Sequence, residues 1–496
     1  MKPTSLSNSG EVLCLERERQ ALLEFKQSLI DDGGLLSSWE SEGDKSECCK
    51  WSGVACSNVT GHIIHLDLNS LKLGNSPFCI PLRGKINPTL LELQQLNYLD
   101  LSYNYFGLSQ IPKFFGSFKK FRHLKLQFSG FSGDVPYELG KLTNLQTLEL
   151  ANRRLSIKNL EWLFHLSLLS YLDLTYVDLS ETNWQLQITK LPFLKELHLS
   201  SCQLSNTLPA KDIFTKSSSP FLDFLDLSIN DLTSNSIFPW LFNFTKSAIS
   251  IDLLYNQLEC PIRNAFGELI FLEKLNLCSN KLHGGIPKSL EECKSFDLLL
   301  KGNDLSSNML FGTIPQELFD MKGLIFLNLL RNHLTGNIIS SIGQMEMLEW
   351  LDLSKNQLYG EIPTGLANLN YLSILDLSYN NLTRKIPIGT QLQSFNPSTY
   401  SGNNKLCGCP LTVCPQDAPD PSLTDYGKGN NVEEDNGFIT REFYFCMAFG
   451  FIFGLWAVIF TLFLKHSWRH VYFNFFNNVG NSIYVYVTRF TRKLHD

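Results

Sequence analysis

Cysteine residues are the side chains whose spacing in this sequence most clearly suggests chemistry. One group lies near the start of the chain and another near its end: Cys14, Cys48, Cys49 and Cys56, then Cys407, Cys409 and Cys414. Clustered cysteines form disulfide bonds in an oxidising compartment or hold a zinc ion. Because the spacings match no common zinc finger, they favour disulfide bonds and leave a zinc site as the alternative.

No other combination of residues indicates catalysis. The stretch "GGIPKS", from Gly284 to Ser289, has a faint likeness to a phosphate-binding loop. Its residues are better explained as a turn of the repeats described below. We therefore expect no enzymatic activity, cofactor or metal. Four further cysteines are expected to be loop or core thiols: Cys79, Cys260, Cys278 and Cys293.

The two cysteine groups flank a phrase that recurs about every 24 residues. It reads "LDLSKNQLYGEIP" from Leu351 to Pro363 and "LDLSYNNLTRKIP" from Leu375 to Pro387. A fixed period of this length indicates a solenoid of stacked repeats. Thirteen positions hold the first leucine of the phrase or its substitute: Leu66, Leu99, Leu124, Leu148, Leu172, Leu197, Leu225, Ile251, Leu275, Asn303, Leu327, Leu351 and Leu375.

Each repeat is predicted to begin with a strand. Alternate side chains of a strand face opposite sides. Leu351 and Leu353 should therefore point into the stack, whereas Trp350, Asp352 and Ser354 should point out. An asparagine side chain both donates and accepts hydrogen bonds, so the asparagine of each phrase is expected to bond the backbone of the next repeat. This slot holds Asn104, Asn230, Asn256, Asn280, Asn308, Asn332, Asn356 and Asn380, with Cys202 as a substitute.

Stacking places the strands about 4.8 Å apart in a parallel sheet. The segment after "GEIP" is predicted to return as a short helical or 3₁₀ turn. Because these arms are bulkier than the strands, the stack should curve with the sheet on its concave side. Such a rigid, exposed surface is usually used for binding. We expect no second globular domain between residues 63 and 395.

The residues that flank the strand leucines are the candidate ligand contacts. Five aspartates share one slot, which favours a repeat consensus and leaves a basic ligand as the alternative: Asp226, Asp252, Asp304, Asp352 and Asp376. The third to sixth repeats depart from the consensus with aromatic and charged side chains, which are typical of protein interfaces. Drift in a decaying gene would produce the same departure. The predicted ligand contacts are Arg122, His123, Lys125, Phe128, Glu149, Tyr171, Tyr176, Lys195 and His198.

The chain of 496 residues carries a formal net charge of −6, and this mild acidity argues against nucleic acid as a partner. Residues 443–464 contain no charged side chain. A helix of this length spans about 33 Å, enough to cross a bilayer core of about 30 Å. We therefore predict a transmembrane helix in the lipid bilayer. Gly450 and Gly454 form a G-x-x-x-G pair in it, which either permits close approach of a partner helix or is neutral.

Charges on the two sides of this helix predict its orientation. Residues 465–496 are mainly basic and residues 416–442 mainly acidic, and positive residues stay on the cytoplasmic side. The repeats are therefore expected outside the cell, in a single-pass type I protein of the plasma membrane. Candidate glycosylation sites at Asn58, Asn243 and Asn381 agree with that location. Because the start of the sequence has no apolar signal segment, we expect one upstream of Met1, or insertion directed by the transmembrane helix.

The stretches "CLERERQALLEFKQSLIDDGGLLSSW" and "CCKWSGVACSNVTGHIIHLDL" resemble the N-terminal cap of plant extracellular leucine-rich-repeat proteins. The repeats are similar to the plant pattern "LxxLxLxxNxLxGxIP". "KIPIGTQLQSF" followed by "YSGNNKLCG" resembles the C-terminal cap of plant receptor-like proteins. The chain is most similar to the disease-resistance type, which includes receptors for fungal ethylene-inducing xylanase. This resemblance implies an α/β leucine-rich-repeat solenoid that is right-handed, with a parallel concave sheet and disulfide caps.

The resemblance also implies a function and a set of disulfide bonds. Such proteins recognise extracellular peptide or protein ligands, here expected to be microbial, and lack a kinase domain. They signal through an adaptor receptor-like kinase, which we expect to contact the membrane helix. The family's cap pattern implies bonds between Cys14 and Cys48, Cys49 and Cys56, and Cys407 and Cys414. Cys409 stands where the family more often has proline, so it is an odd thiol.

The sequence departs from the family in its middle. Many members have twice as many repeats and a non-repeat island before the last four. Here the island is reduced to a few residues within Ser295–Asn308, and Asn303 occupies a leucine slot. The shrunken island favours a truncated non-signalling or decoy paralogue as an alternative function. A developmental peptide co-receptor is a second alternative, and a soluble inhibitor of wall enzymes, which uses the same repeats and caps, is a third that the membrane segment argues against. The predicted segments are the leader and N-terminal cap (1–62), the repeats (63–395), the C-terminal cap (396–415), the acidic linker (416–442), the transmembrane helix (443–464) and the cytoplasmic tail (465–496).

Overall fold

A computed structural model describes residues 13–40, 47–74, 79–204, 222–262, 266, 269, 271–287, 302–412 and 414. These residues belong to one compact unit, Met1–Ala418, and a second unit, Pro419–Asp496, lies outside them. The predicted transmembrane helix with Gly450 and Gly454, the acidic linker and the basic tail therefore fall outside the described residues. Among the residues that are described, no helix has both the length and the apolar character needed to cross a membrane.

A sheet of fourteen strands, called the long sheet below, runs through the repeats. Its first two strands are antiparallel, and the later neighbours are parallel. The strands are Val54–Cys56, Ile63–Asp67, Tyr98–Asp100, His123–Lys125, Thr147–Glu149, Tyr171–Asp173, Glu196–His198, Phe224–Asp226, Ser250–Asp252, Lys274–Asn276, Gly302–Asp304, Phe326–Asn328, Trp350–Asp352 and Ile374–Asp376. Each of the thirteen predicted positions lies in one of these strands, and neighbouring positions pair directly, as Leu351 does with Leu327 and Leu375. The predicted parallel sheet is confirmed, while the handedness and the concavity stay predictions.

The return arms contain short strands and short helices. Six strands form a second sheet: His283–Gly284, Met309–Thr313, His333–Asn337, Gln357–Gly360, Asn381–Lys385 and Lys405–Cys407. Two smaller pairs join Leu29–Ile30 with Arg83–Gly84, and Gly133–Asp134 with Leu155–Ser156. The α-helices are Glu16–Gln27, Ser70–Leu73, Trp184–Ile188, Ser234–Phe244, Gln316–Phe319 and Thr390–Ser394. The 3₁₀ helices are Cys48–Lys50, Pro88–Glu92, Lys113–Ser117, Tyr137–Lys141, Glu161–His165, Ser340–Gln344, Thr364–Asn368 and Pro397–Tyr400, so the predicted helical returns are present.

The leucines of each strand form one continuous core between the sheet and the return arms. Leu351 and Leu353 are fully buried, as the alternation predicts, and Trp350 on the opposite side is 36% exposed. The prediction for Ser354 was wrong, because this residue is 2% exposed. The strand ends at Asp352, so the alternation no longer applies at Ser354, whose hydroxyl group donates to the Asp352 carboxylate over 2.7 Å.

The asparagine of each phrase bonds backward along the stack. The Asn356 side-chain amide donates to the carbonyl of Leu329, in the preceding repeat, over 2.9 Å, and to Leu353 in its own repeat over 3.1 Å. Its side-chain oxygen accepts from the Leu334 backbone N–H over 3.0 Å. We predicted that the asparagine bonds the next repeat, and this prediction was wrong because the bonds run to the preceding repeat. Backbone N–H groups at the strand ends point toward the following repeat; the Leu329 N–H, for example, donates to the Asp352 carbonyl. The asparagine that meets the backbone groups of one repeat therefore belongs to the repeat that follows it.

The asparagine slot tolerates two other side chains in the same role. The hydroxyl group of Ser129 donates to the Leu101 carbonyl over 2.6 Å, and the Cys202 thiol donates to the Leu174 carbonyl over 3.0 Å. Each of these carbonyls belongs to the preceding repeat. Cys202 is completely buried, and burial raises the pKa of its thiol. The predicted substitution of Cys202 into this slot is confirmed by that bond.

Asn303 is the one leucine-slot position that carries a polar side chain. It lies in the strand Gly302–Asp304 between Leu275 and Leu327, and it is 2% exposed. Neither its amide nitrogen nor its side-chain oxygen has a hydrogen-bond partner among the described residues. A buried amide without a partner costs about 1–3 kcal/mol, so the stack carries a local defect at this strand.

The two caps close the core, and both carry disulfide bonds. Cys14 is joined to Cys48 and Cys49 to Cys56, with Cα–Cα distances of 5.7 and 5.4 Å. Cys407 is joined to Cys414 at 5.0 Å, which is the pairing that the resemblance implies. The four N-terminal sulfur atoms lie within 4.8 Å of one another, but these bonds occupy them and weaken the zinc alternative. Cys79, Cys260, Cys278 and Cys409 are free thiols, and Cys293 lies outside the described residues.

The C-terminal cap continues the repeat geometry for one more turn. The Asn403 side-chain amide donates to the Leu377 carbonyl over 3.0 Å, and its oxygen accepts from the Leu382 N–H over 3.0 Å. Tyr400 is fully buried beside it. The last turn of the repeats therefore finds backbone partners in the cap, which is what the exposed end of a solenoid requires.

Candidate ligand-binding face

The outward-facing side chains of the long sheet form two columns, called the outer face below. The first column precedes each strand leucine: His65, Tyr98, His123, Thr147, Tyr171, Glu196, Phe224, Ser250, Lys274, Gly302, Phe326, Trp350 and Ile374. The second follows it: Asp67, Asp100, Lys125, Glu149, Asp173, His198, Asp226, Asp252, Asn276, Asp304, Asn328, Asp352 and Asp376. In-register pairing puts neighbours of one column on adjacent strands, where their side chains meet.

Aspartates of the second column have a backbone role. The Asp352 carboxylate accepts from the Ser354 N–H over 2.9 Å, and Asp376 accepts from the Ser378 N–H over 2.9 Å. The same bond, two residues onward, recurs at Asp226, Asp252 and Asp304. These side chains therefore hold the turn that follows each strand. This geometry supports the repeat-consensus interpretation of the shared aspartate slot.

Glu149 is the centre of a polar cluster in the fourth repeat. One of its carboxylate oxygens lies 2.6 Å from the Lys125 ammonium group, and the other accepts from the Gln127 amide over 2.8 Å. The residue is 5% exposed, and burial raises the pKa of its carboxyl group against the effect of Lys125. The structure brings together two predicted ligand contacts, Lys125 and Glu149. Because the two side chains form an ion pair with each other, a ligand would have to compete with this pair for either of them.

Rings meet across neighbouring strands of the outer face at Phe326 and Trp350, 5.3 Å apart, and in two stacks that contain predicted ligand contacts. Near the N-terminal end, the Tyr98 ring lies 4.0 Å from the His65 ring and 5.7 Å from the His123 ring. Burial lowers the pKa of both imidazoles, so these rings are neutral at pH 7. His123 is also 3.0 Å from the Thr147 hydroxyl group. His123 is therefore one member of a three-ring stack.

The second stack lies in the fifth to seventh repeats. The His198 ring lies 5.2 Å from Tyr171 and 4.7 Å from Phe224. The Nε2 atom of His198 is buried without a hydrogen-bond partner in the described part of the chain, 3.8 Å from the Glu196 carboxylate. The structure thus brings together Tyr171 and His198, two predicted ligand contacts that lie on neighbouring repeats.

A third aromatic group, called the rim cluster below, consists of Tyr103, Phe128, Arg153 and Tyr176. The Phe128 ring lies 5.4 Å from Tyr103 and 6.3 Å from Tyr176, and the Arg153 guanidinium group lies 4.7 Å from the Tyr176 ring centroid. Phe128 is 41% exposed. Tyr103, Phe128 and Tyr176 have φ values of 59°, 51° and 69°, which turn their side chains away from the core at the end of each strand.

The rim cluster was only half found from the sequence. Phe128 and Tyr176 were predicted, whereas Tyr103 and Arg153 were missed. The available signal was the fixed slot immediately before the asparagine, which holds an aromatic residue at Tyr103, Phe128 and Tyr176. Reading that slot down the repeats would have found Tyr103, whereas Arg153 stands in the asparagine slot of its own repeat, five residues after Leu148, where the sequence analysis considered no ligand contact.

Two of the predicted ligand contacts stand apart from the polar cluster, the stacks and the rim cluster. Arg122 and Lys195 are both exposed, and neither makes an ion pair among the residues that the structure describes. Their positive charges are therefore available to a partner, but nothing in the geometry joins them to a common site.

The candidate glycosylation asparagines are all exposed, which is compatible with attached sugar. Asn58 lies in a turn and Asn381 begins a strand of the second sheet. Asn243 lies in the helix Ser234–Phe244, and Thr245, the last residue of its sequon, is fully buried. Glycosylation of these residues stays a prediction.

Family comparisons match the N-terminal cap and several of the repeats described above. Residues 15–57 match the family described as leucine rich repeat N-terminal domain. Segments 95–118, 271–293, 347–369 and 371–391 match the family described as leucine rich repeat. Receptor-like protein EIX1 of Solanum lycopersicum is 47% identical to this chain over 288 residues. The chain contains leucine-rich repeats and resembles plant receptor-like proteins.

The extent of this resemblance differs between the chains. The match covers 57% of this chain and 28% of EIX1. Receptor-like protein EIX2 of Solanum lycopersicum is 41% identical over 317 residues, covering 63% of this chain and 30% of that relative. Each match therefore spans less than a third of the relative's length. The crystal structure of PEPR1-AtPEP1 superposes with a TM-score of 0.59 at 29% identity, covering 80% of this chain and 52% of that chain.

Proposed function

We propose that this chain is the ligand-recognising part of a cell-surface receptor-like protein in plant defence. It binds an extracellular microbial protein or peptide on the outer face of the long sheet, with the repeats outside the plasma membrane. Binding is passed inward through an adaptor receptor-like kinase that contacts the membrane helix. The rim cluster is the observation that carries this proposal, and the similarity to EIX1 and EIX2 supports the defence role.

The rim cluster has the properties of a protein contact site. Tyrosine and arginine are enriched among the residues that dominate binding energies, and an arginine stacked on a ring retains free N–H donors on its edge. Phe128 and Tyr176 belong to different repeats of one rigid stack and already contact each other, so they need little ordering when a partner binds. We expect the ligand to cover Phe128, Arg153 and Tyr176 together.

Replacing Phe128 and Tyr176 by alanine should weaken ligand binding about tenfold or more, because each substitution removes a large ring from a preformed contact. Purified fungal ethylene-inducing xylanase is the first ligand to test, since the resemblance points to it. The full chain is expressed in leaf cells, and binding of labelled xylanase to the cell surface is titrated for the parent and the double variant.

Tyr255 and Tyr379 provide the matched control for this experiment. They occupy the same slot with φ values of 50° and 53°, are exposed, and lie outside the rim cluster. Alanine at both positions should leave xylanase binding within about twofold of the parent. Equal losses for the two double variants, at equal surface abundance, would show that the rim cluster is not the contact.

The membrane helix is proposed to hold the partner kinase through Gly450 and Gly454. Small residues one turn apart let two helices approach closely in lipid, so leucine at both positions should disrupt that packing. Co-purification of a receptor-like kinase from leaf membranes is expected to fall several-fold, while the amount of the chain at the cell surface stays unchanged.

The matched control for the glycine variant is Ala448→Leu, two residues before Gly450. At 100° per residue, a helix would place this alanine on the side opposite Gly450, so the same enlargement should leave kinase recovery unchanged. Unchanged kinase recovery with the glycine variant itself would exclude this docking face.

A developmental peptide co-receptor is the second candidate. The xylanase titration separates the two candidates. If the parent chain binds no xylanase but responds to peptides from healthy tissue, the ligand is endogenous and the defence proposal is wrong.

A further inference from the structure

A cleft of about 480 Å³ opens in the outer face between the seventh and eleventh repeats. Phe224 and Phe326 lie at its two ends, and four strand intervals separate them, about 19 Å. The carboxylates of Asp252 and Asp304 line it between these rings. This place lies outside the third to sixth repeats, where the predicted ligand contacts are found.

The first column explains why a cleft forms here. Large rings occupy that column at Phe224 and again at Phe326. Between them stand Ser250, Lys274 and Gly302, none of which can bridge the gap with a ring. Serine and glycine have little or no side chain, and Lys274 is exposed. The result is a cleft with an aromatic ring at each end and acidic side chains between the two rings.

Hydrogen bonds hold the two carboxylates in place without neutralising them. Asp252 accepts from the Leu254 N–H over 2.9 Å and from the Asn276 amide over 3.0 Å. Asp304 makes the same two kinds of bond, to the N–H two residues onward over 3.0 Å and to the Asn328 amide over 3.2 Å. A carboxylate offers about four lone-pair sites, so both keep acceptor capacity toward the cleft.

The charge of the cleft is not balanced from within. Two carboxylates line it against one lysine, and Lys274 makes no ion pair with either in the described part of the chain. Burial raises the pKa of Asp252 to about 6, and the carboxylates of Asp226 and Asp304 add to the effect. A cation placed in the cleft would therefore relieve repulsion that the fold leaves in place.

We propose that this cleft binds an arginine side chain from an extended segment of a peptide or protein ligand. The guanidinium group would bond Asp252 and Asp304, and its flat face would lie against Phe224 or Phe326. Arginine fits better than lysine because its planar group both pairs with carboxylates and stacks on rings. The inference rests on the proposed function, of which it specifies one ligand residue.

The test uses the full chain in detergent micelles and two short probes. They are acetyl-Gly-Gly-Arg-Gly-Gly-amide and the same peptide with citrulline, which keeps the shape of arginine but has no charge. Ligand-observed NMR titration is expected to give a millimolar dissociation constant for the arginine peptide and about tenfold weaker binding of the citrulline peptide. Equal binding of both probes, or no binding of the arginine peptide at about 10 mM, would overturn the proposal.

Variants locate the binding in the cleft. The double variant Asp252→Asn and Asp304→Asn should lose the preference for arginine, whereas Asp376→Asn, in the same column but outside the cleft, should keep it. Ser250→Trp should fill the cleft and abolish binding of both probes, while Thr147→Trp, in the first column of the fourth repeat, should not. A full arginine preference in the Ser250→Trp variant, shown to be folded by its circular dichroism, would exclude this cleft.

The pH dependence provides an independent readout. The two strands beside Asp252 carry Asp226 on one side and Lys274 and Asn276 on the other, and Asp304 lies two strands away. The carboxylate of Asp252 forms as the pH rises through its pKa of about 6. Affinity for the arginine peptide should therefore rise several-fold between about pH 5 and pH 7, and affinity for the citrulline peptide should not. A flat arginine profile would contradict the assigned role of Asp252.

The outcome is separable from that of the proposed function. If xylanase binding depends on the rim cluster but the cleft shows no preference for arginine, only the cleft proposal falls. If the cleft selects arginine but the cell surface binds no xylanase, the proposed ligand is wrong and the cleft stands.

Discussion

Replacing Asn303 by leucine is expected to raise the free energy of unfolding by about 2–3 kcal/mol. The substitution removes an amide that is 2% exposed and has no partner among the described residues. Leucine has the same branching and the same number of side-chain heavy atoms, and the neighbours on both sides are Leu275 and Leu327, so the new side chain continues an existing row. Urea unfolding and hydrogen exchange at the strand Phe326–Asn328 would measure the gain.

The alanine variant of the same residue is the control for Asn303→Leu. Asn303→Ala also removes the unpaired amide but leaves a cavity, and the two effects should nearly cancel. An increase for leucine but not for alanine would show that filling the slot matters. If leucine lowers the urea midpoint, Asn303 has a partner that stabilises it, and the strand carries no defect.

The same substitution at Asn356 should have the opposite sign and cost about 3 kcal/mol or more. Asn356 is also buried, but its side chain bonds the carbonyls of Leu329 and Leu353 and the N–H of Leu334. Leucine would leave these backbone groups buried without partners. The urea midpoint should fall, and exchange of the Leu334 amide should accelerate.

A graded series at Asn356 tests the mechanism of that loss. Serine should lose less stability than leucine, because Ser129 in the same slot keeps the bond to the preceding repeat. Aspartate keeps the acceptor for the Leu334 N–H but turns a buried carboxylate toward the carbonyls of Leu329 and Leu353, so it should lose at least as much stability as leucine. Equal losses for serine and leucine would mean that the slot is sensitive to packing and not to hydrogen bonding.

The repeat and its register could be predicted from the residue pattern, because each turn must bury the same leucines. From the period alone, all thirteen strand positions, including Asn303, could be placed, and the structure pairs them in that register. The predicted return helices followed from the same pattern. The cap pairings, such as Cys49 with Cys56, were not derivable from spacing and came from the resemblance to plant receptor-like proteins.

Only the tertiary structure shows which outer-face side chains already have partners within the sheet. Lys125 and Glu149 looked like ligand contacts, yet they bond each other across neighbouring strands. The repeat pattern predicts the column of each residue but not which side chains meet laterally, since that depends on both neighbours and their rotamers.

The rim cluster and the cleft depend on the same lateral packing. Phe128 meets Tyr176 although 48 positions separate them in the chain, and Arg153 stacks on that second ring. The cleft exists because three successive strands carry no ring between Phe224 and Phe326. A period fixes what must be buried in every turn. It leaves the exposed side chains free to differ, so their contacts are set only when the turns are stacked.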